Sequence, residues 1–273
     1  MLLRLSSPEE VICITQPHHA WIAGQLARAW GNEKFGQVSP NQQVCLAAEQ
    51  HDIGWIHWEQ ASTLNPQTGY PHSFSELATK NHINIWSKAS NLALPWGRYV
   101  ALLISLHGTR LYERFRGWEN SPETKELVEN FLKVEYGVQE DLISKLQNDS
   151  YYEQYATPEI IKRNQKLVAV WDALSLIICH GFTGEKLVEN VPTADGEITL
   201  TLTAKKDCPL EIFVSPWPFR ENRVNLVLEG RLLQQKFTDE TMMREALNQA
   251  LTVTIDTILI PENSESFTTD IHR

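Results

Sequence analysis

The chain has 273 residues, 42% of them hydrophobic and nine of them Trp, which is enough to bury a large core. Its 24 Lys and Arg are outnumbered by 34 Asp and Glu, and the net charge of −10 argues against a general nucleic-acid or membrane-surface binder, since both need a basic face. No apolar run approaches the roughly 18 residues of a membrane span, and the opening MLLRLSSPEEVICIT does not read as a secretory signal.

Residues 11–15 read as a short buried strand or an extended entry. A helix is expected from about Pro17 to Trp30, stopped by Gly31-Asn32. The next is expected to start with Ser39 as N-cap, Pro40 at the first helical position and Gln42 behind them, and to run to Gly54. Residues 60–73 hold two Pro, a Gly and small polar residues, and read as a loop. Helices follow at about 74–93, 97–114, 122–147 and 158–181. Beyond Gly184 the period changes: 197–203 and 223–228 alternate, 210–215 is strand-like, and a last helix is expected from about Asp239 to Thr257. Cys13, Cys45, Cys179 and Cys208 form no C-x-x-C pair, which points to a reduced, cytoplasmic setting.

The ionisable residues on apolar helix faces carry the chemistry. His19 is in phase with Ala23, Leu26 and Trp30; His51 with Val44, Ala47 and Ala48; His82 with Ile85, Trp86 and Ala89. His107 is in phase with Val100, Leu103 and Leu111, and Asp172 lies in the apolar run LVAVWDALSLIIC. Any one of these fits a hydrogen-bonded core residue. Together, with Asp52 beside His51, they would need separate hydrogen-bonding solutions within one core, whereas a shared divalent cation satisfies them all.

The order His19 … His51-Asp52 … Asp172, each on its own helix, resembles the HD superfamily of metal-dependent phosphohydrolases. The stretches QPHHAWIAGQLARAW, AAEQHDIGWIHWE, LNPQTGYPHSF, ALLISLHG and PWPF resemble the DUF3891 family over most of the chain. The resemblance implies an HD-type helical domain, and with the change of period beyond Gly184 the expected fold is mainly α: that domain over 1–188, with a small C-terminal antiparallel β-sheet plus helix subdomain over 189–273. It implies one or two divalent ions (Zn, Mn, Fe, Mg or Ni). His19, His51, Asp52 and Asp172 would hold the first, and His82 and His107, with Asp52 bridging, the second. The implied activity is hydrolysis of a small phosphorylated or nucleotide-like molecule by metal-bound hydroxide. Asp52, Glu59, His82 and His107 would serve catalysis, with a small anionic molecule as substrate, no nucleic acid or membrane partner, and a homo-oligomer left open. A di-iron oxygenase of the same layout and a non-enzymatic module with a structural metal remain the alternatives. HD phosphohydrolases often place a basic residue beside the HD pair, where this chain has Ile53, Gly54 and Trp55.

His18 points about 100° away from His19 and is not expected to ligate. Trp55 and Trp58 read as core or pocket wall, and Glu59 as a ligand-orienting carboxylate, a general acid or base, or a solvated side chain. His57 and His72 read as rim or surface residues, the loop 64–72 as a connector or a lid, and 216–219 as an apolar plug. Lys88, Arg98, Arg110 and Arg114 read as charged outer faces, one of which could meet a phosphate. His180 and His272 carry no signal.

Overall fold

The computed structural model describes residues 1–262; His272 lies outside the described residues. Strands β1 (Leu2–Ser7) and β2 (Glu10–Ile14) form a hairpin that enters α1 (Gln16–Ala29). Then come α2 (Asn41–Gln50), the short α3 (Ile56–Glu59), a two-residue hairpin of β3 (Leu64–Asn65) and β4 (Tyr70–Pro71), α4 (Thr79–Ala93), α5 (Arg98–Arg114), α6 (Pro122–Gln147) and α7 (Pro158–His180). The chain continues through β5 (Glu185–Pro192), β6 (Glu197–Lys205), β7 (Cys208–Ser215), β8 (Val224–Leu233), α8 (Glu240–Gln249) and β9 (Leu251–Pro261). No helix among the described residues is long and apolar enough to cross a membrane.

Local chemistry accounts for the helix ends. The Thr15 side chain accepts from the His18 amide and Thr157 from the Ile160 amide, each followed by a Pro in the first turn. Gly181, at φ 69°, closes α7 in the left-handed region. At α2 the cap is Pro40 rather than Ser39, with no side-chain hydrogen bond, and the Ser39 carbonyl is instead taken by the Asn164 side chain.

The expected mainly α fold with a small C-terminal antiparallel sheet is not what forms. Helix makes up 52% of the protein and strand 24%, and a single seven-stranded sheet, curled as a half-barrel, dominates. Its order is β1-β2-β8-β9-β7-β6-β5, and β7 and β9 run parallel, so the sheet is mixed. Two things hid it. The N-terminal hairpin gains its place by pairing β2 with β8, Val11 opposite Leu233, a partner more than 200 residues away that no local pattern announces. The stretch expected as one helix to Thr257 breaks at Ala250: α8 ends at Gln249, and the Thr, Val and Ile residues of LTVTIDTILIP form β9 between β8 and β7. β-Branched side chains stiffen χ1 and favour the pleated surface, so propensity beat the helical reading there.

The sheet is covered on both faces near β2. Ile12 and Ile14 join the main core with α1, α2, α5 and α7, while Val11 and Cys13, facing the other way, join a smaller cluster with Tyr70, Phe237, Met243 and Leu247 under α8. The apolar plug at 216–219 seats Phe219 edge-on against Trp30, whose ring also meets Phe35 and Trp171. The loop 60–73 is pinned to the α8 side: the Leu64 amide donates to Glu240, and the Phe237 amide to the Gly69 carbonyl.

Candidate metal centre

α1, the C-terminal end of α2 and the middle of α7 bring His19, the His51-Asp52 pair and Asp172 to one point. His19 Nε2 lies 2.6 Å from Asp52 Oδ2 and 3.9 Å from Asp172 Oδ1. His51 Nε2 lies 3.4 Å from Asp172 Oδ1 and 3.6 Å from Asp52 Oδ2. One ligand atom each from His19, His51 and Asp172 falls within 4.8 Å of the others. His19, His51 and Asp52 are buried, and Asp172 is half-buried.

The outer nitrogens of the two histidines decide what the inner ones present. His51 Nδ1 lies 2.8 Å from the Ala48 carbonyl, which can only accept, so Nδ1 carries the proton. The Ser175 hydroxyl donates to the Asp172 carbonyl at 2.8 Å and is left to accept from His19 Nδ1 at 2.9 Å. When neutral, both imidazoles therefore carry the proton on Nδ1 and turn the Nε2 lone pair toward two carboxylates, and His19 Nε2, 2.6 Å from Asp52 Oδ2, can share a proton there instead. His51 Nε2 is buried without a hydrogen-bond partner. Four acceptors facing one another need a positive charge between them, either shared protons or a cation, and two imidazoles with two carboxylates are a donor set suited to Zn, Fe or Mn. The carbonyl and hydroxyl behind the rings are the kind of support that orients metal-binding histidines.

Without a cation the cluster takes up protons. Burial opposes charging His51, yet Asp52 and Asp172 beside it raise its pKa to about 9. Burial likewise opposes ionising the two carboxyls, but His51 and His19 hold Asp52, and His51 and His107 hold Asp172, below the ordinary carboxylate range.

His107, on α5, reaches the edge of this cluster: its Nε2 is 3.7 Å from Asp172 Oδ2, and its ring meets that of His51 edge-on. Its buried Nδ1 has no hydrogen-bond partner, and burial, helped by His51, lowers its pKa to about 4. It is a neutral imidazole without the backing that His19 and His51 have. His82 is not brought into the cluster. Its Nε2 donates to the Phe74 carbonyl at 2.6 Å, and its ring packs edge-on against Trp55. Glu59 sits apart as well, its Oε1 accepting from the Gln16 amide at 2.9 Å and pairing with the Met1 amine at 3.0 Å. His18 turns outward, its Nε2 accepting from the Glu229 amide on β8 at 2.7 Å.

The cluster opens into a cavity of about 980 Å³. His19, Asp52, His82, His107 and Asp172 face it, and so do apolar and aromatic side chains from α4, α5, α7 and β5. Arg110 and Arg114 line it too, whereas Arg98 is paired with Asp149 and Lys88 is exposed. The 64–72 segment contributes nothing to the lining; Phe74, Ser75 and Leu77 stand there instead.

Gly54 and Gly108 allow close approach to α4. A Cβ at Gly54 would lie 2.6 Å from the Ile85 carbonyl oxygen, and one at Gly108 would lie 2.9 Å from the Trp86 ring. The Gly that follows the HD pair is therefore a packing requirement for α4.

Comparison with curated proteins and with solved structures returns no match. A family model described as "Protein of unknown function (DUF3891)" matches residues 1–235, which takes in every residue of the cluster and of the cavity wall, and the chain belongs to the DUF3891 family.

Proposed function

We propose that this protein is a metal-dependent hydrolase with an HD-type centre, acting on a small phosphorylated molecule. The observation that carries the reading is the pair of imidazoles, His19 and His51, each backed at Nδ1 and turning Nε2 toward Asp52 and Asp172 at a large cavity. These four residues would hold one divalent ion. Such an ion, when bound, activates water near neutral pH and polarises a phosphoryl oxygen.

The rest of the work falls to the chain. Asp52 and Asp172 supply the negative charge that retains the ion, and Ser175 and the Ala48 carbonyl keep both rings in the ligating tautomer. His107 and His82 are the imidazoles beyond the ligand set that face the cavity, and His107, held neutral, offers a bound molecule one ring N–H donor and one acceptor nitrogen. The aromatic walls exclude water from the bound molecule. With His82 held by the Phe74 carbonyl and Nδ1 of His107 lacking a partner, the geometry favours one ion over two.

Elemental analysis of protein purified without chelator tests this. One divalent ion per chain is expected in the parent, with loss of that ion in His51→Ala and Asp172→Asn, and with metal-dependent release of phosphate or alcohol from a panel of phosphate esters. A parent free of metal, or variants with undiminished metal, would overturn the reading. Two irons per chain with a visible absorption band would point to the oxygenase instead.

A further inference from the structure

The cavity wall holds two cations without a hydrogen-bond or ion-pair partner among the described residues. Arg110 and Arg114 follow His107 on α5 at i+3 and i+7, the spacing of one helix face, about 4.5 and 10.5 Å along the axis from it. Both line the cavity. Among the described residues neither guanidinium has a hydrogen-bond or ion-pair partner; Arg114 lies over the Phe115 ring at 5.3 Å, and Arg110 is half-buried. Among the described residues they are the two arginines with neither kind of partner. Arg116 pairs with Glu119, Arg28 with Glu49, Arg244 with Glu240, and Lys166, on the same cavity wall, with Glu197. Glu189 lines the same cavity, yet it forms no ion pair with either arginine.

Arg110, half-buried without a counter-ion, loses hydration and gains nothing in return unless an anion arrives, and Arg114, exposed one turn further along, adds a second cation to the same wall. The surrounding wall is apolar: Trp86, Leu111, Tyr112, Trp118 and Ile177 lie along the same cavity. We infer that Arg110 and Arg114 form an anion subsite, and that the ligand is a phosphate monoester carrying an aromatic or similarly large apolar body. The phosphate is gripped by Arg110 and Arg114, and the body lies on the Trp86 and Trp118 side of the cavity. This deepens the proposed hydrolase by naming its substrate class, and it supplies from α5 the positive charge that the Ile53-Gly54-Trp55 stretch lacks.

The test uses full-length protein treated with chelator and then freed of it, so that binding is read without turnover and without any ion. Isothermal titration with phenyl phosphate should show saturable binding that weakens with added salt. Arg110→Gln should weaken it by about tenfold, the worth of one charge-assisted contact. Arg110→Gln/Arg114→Gln should abolish it, and Arg116→Gln, the same charge change outside the cavity, should leave it unchanged. Inorganic phosphate should bind more weakly than phenyl phosphate. Equal affinity in the double variant and the parent, or no saturable binding by the parent, overturns the subsite. Inorganic phosphate binding as tightly as phenyl phosphate overturns the apolar body. Elemental analysis of the same preparations before chelation separates the two readings: arginine-dependent binding in a protein that never held metal sinks the metal centre and leaves the subsite standing.

Discussion

The side chains behind the cluster matter as much as those that form it. If Ser175 fixes the His19 tautomer, Ser175→Ala should keep the fold and weaken metal affinity by about 10–100-fold, the usual effect of removing a partner behind a ligand. Competition with a metallochromic chelator measures this, and unchanged affinity would mean that His19 is oriented by packing alone. His18 is the control beside it. His18→Ala should leave metal content untouched while costing about 1 kcal/mol of stability, because the Glu229 amide on β8 loses its acceptor. Phase on the helix was enough to separate these neighbours: His19 shares the stripe of Ala23 and Leu26, and His18 does not. Phase could not separate His82 from His107, since both lie on inward stripes. What removes His82 from the cluster is a carbonyl at Phe74, eight residues earlier and outside its helix. Arg110 and Arg114 were legible as i+3 and i+7 neighbours of His107, but their lack of acidic partners depends on which elements pack nearby.

At the scale of elements, the turn after α2 and the α5–α6 contact each carry a consequence. The backbone at Gly54 touches α4, so Gly54→Ala must push Ile85 and Ala89 away from it. A loss of about 1–3 kcal/mol is expected, as for overpacking generally, read by urea denaturation. A neutral result would show that α4 shifts freely. On α6, Glu135 is buried between α4 and α5, taking hydrogen bonds from Ser105 at 2.6 Å and Ser90 at 3.3 Å. Burial raises its pKa against the lowering effect of Ser105 and Ser90. A carboxyl whose folded pKa exceeds its unfolded one keeps its proton longer in the native state. Stability therefore falls as pH climbs from the ordinary carboxylate range through the raised value, and stays reduced above it. Glu135→Gln should remove that slope and stabilise the protein at pH 7 by about 1 kcal/mol, with the advantage vanishing at acid pH. Urea midpoints for both proteins between pH 4 and 7 would show it; parallel profiles would mean that Glu135 is ionised at no cost.

The centre ties together α1, α2 and α7, and α1 and α7 also rest on the sheet, so ligand binding and global stability should be linked. An ion present at about 1,000 times its Kd adds roughly 4 kcal/mol to the stability of a fold that binds it only when native. Chelation should therefore lower the melting temperature by several degrees, restored by adding the ion back; an unchanged melting curve would place the cluster outside the cooperative core. By itself the sequence determined α1, α5, α6 and α7 to within a residue at each end, because caps and apolar stripes are local, whereas α2 stops at Gln50 rather than Gly54 and α4 starts at Thr79 rather than 74. It also put His19, His51, His82, His107 and Asp172 on inward stripes, with Asp52 entering only as the neighbour of His51. Only the tertiary structure decided that β1 and β2 complete a sheet begun some 200 residues later, and that LTVTIDTILIP becomes a central strand rather than the end of a helix. Strand pairing is a long-range choice, settled by which edge is free when the helices have packed. The tautomers of His19 and His51 were decided there too, because a ring nitrogen is set by the acceptor behind it, and for His19 that acceptor, Ser175, lies 156 residues along the chain.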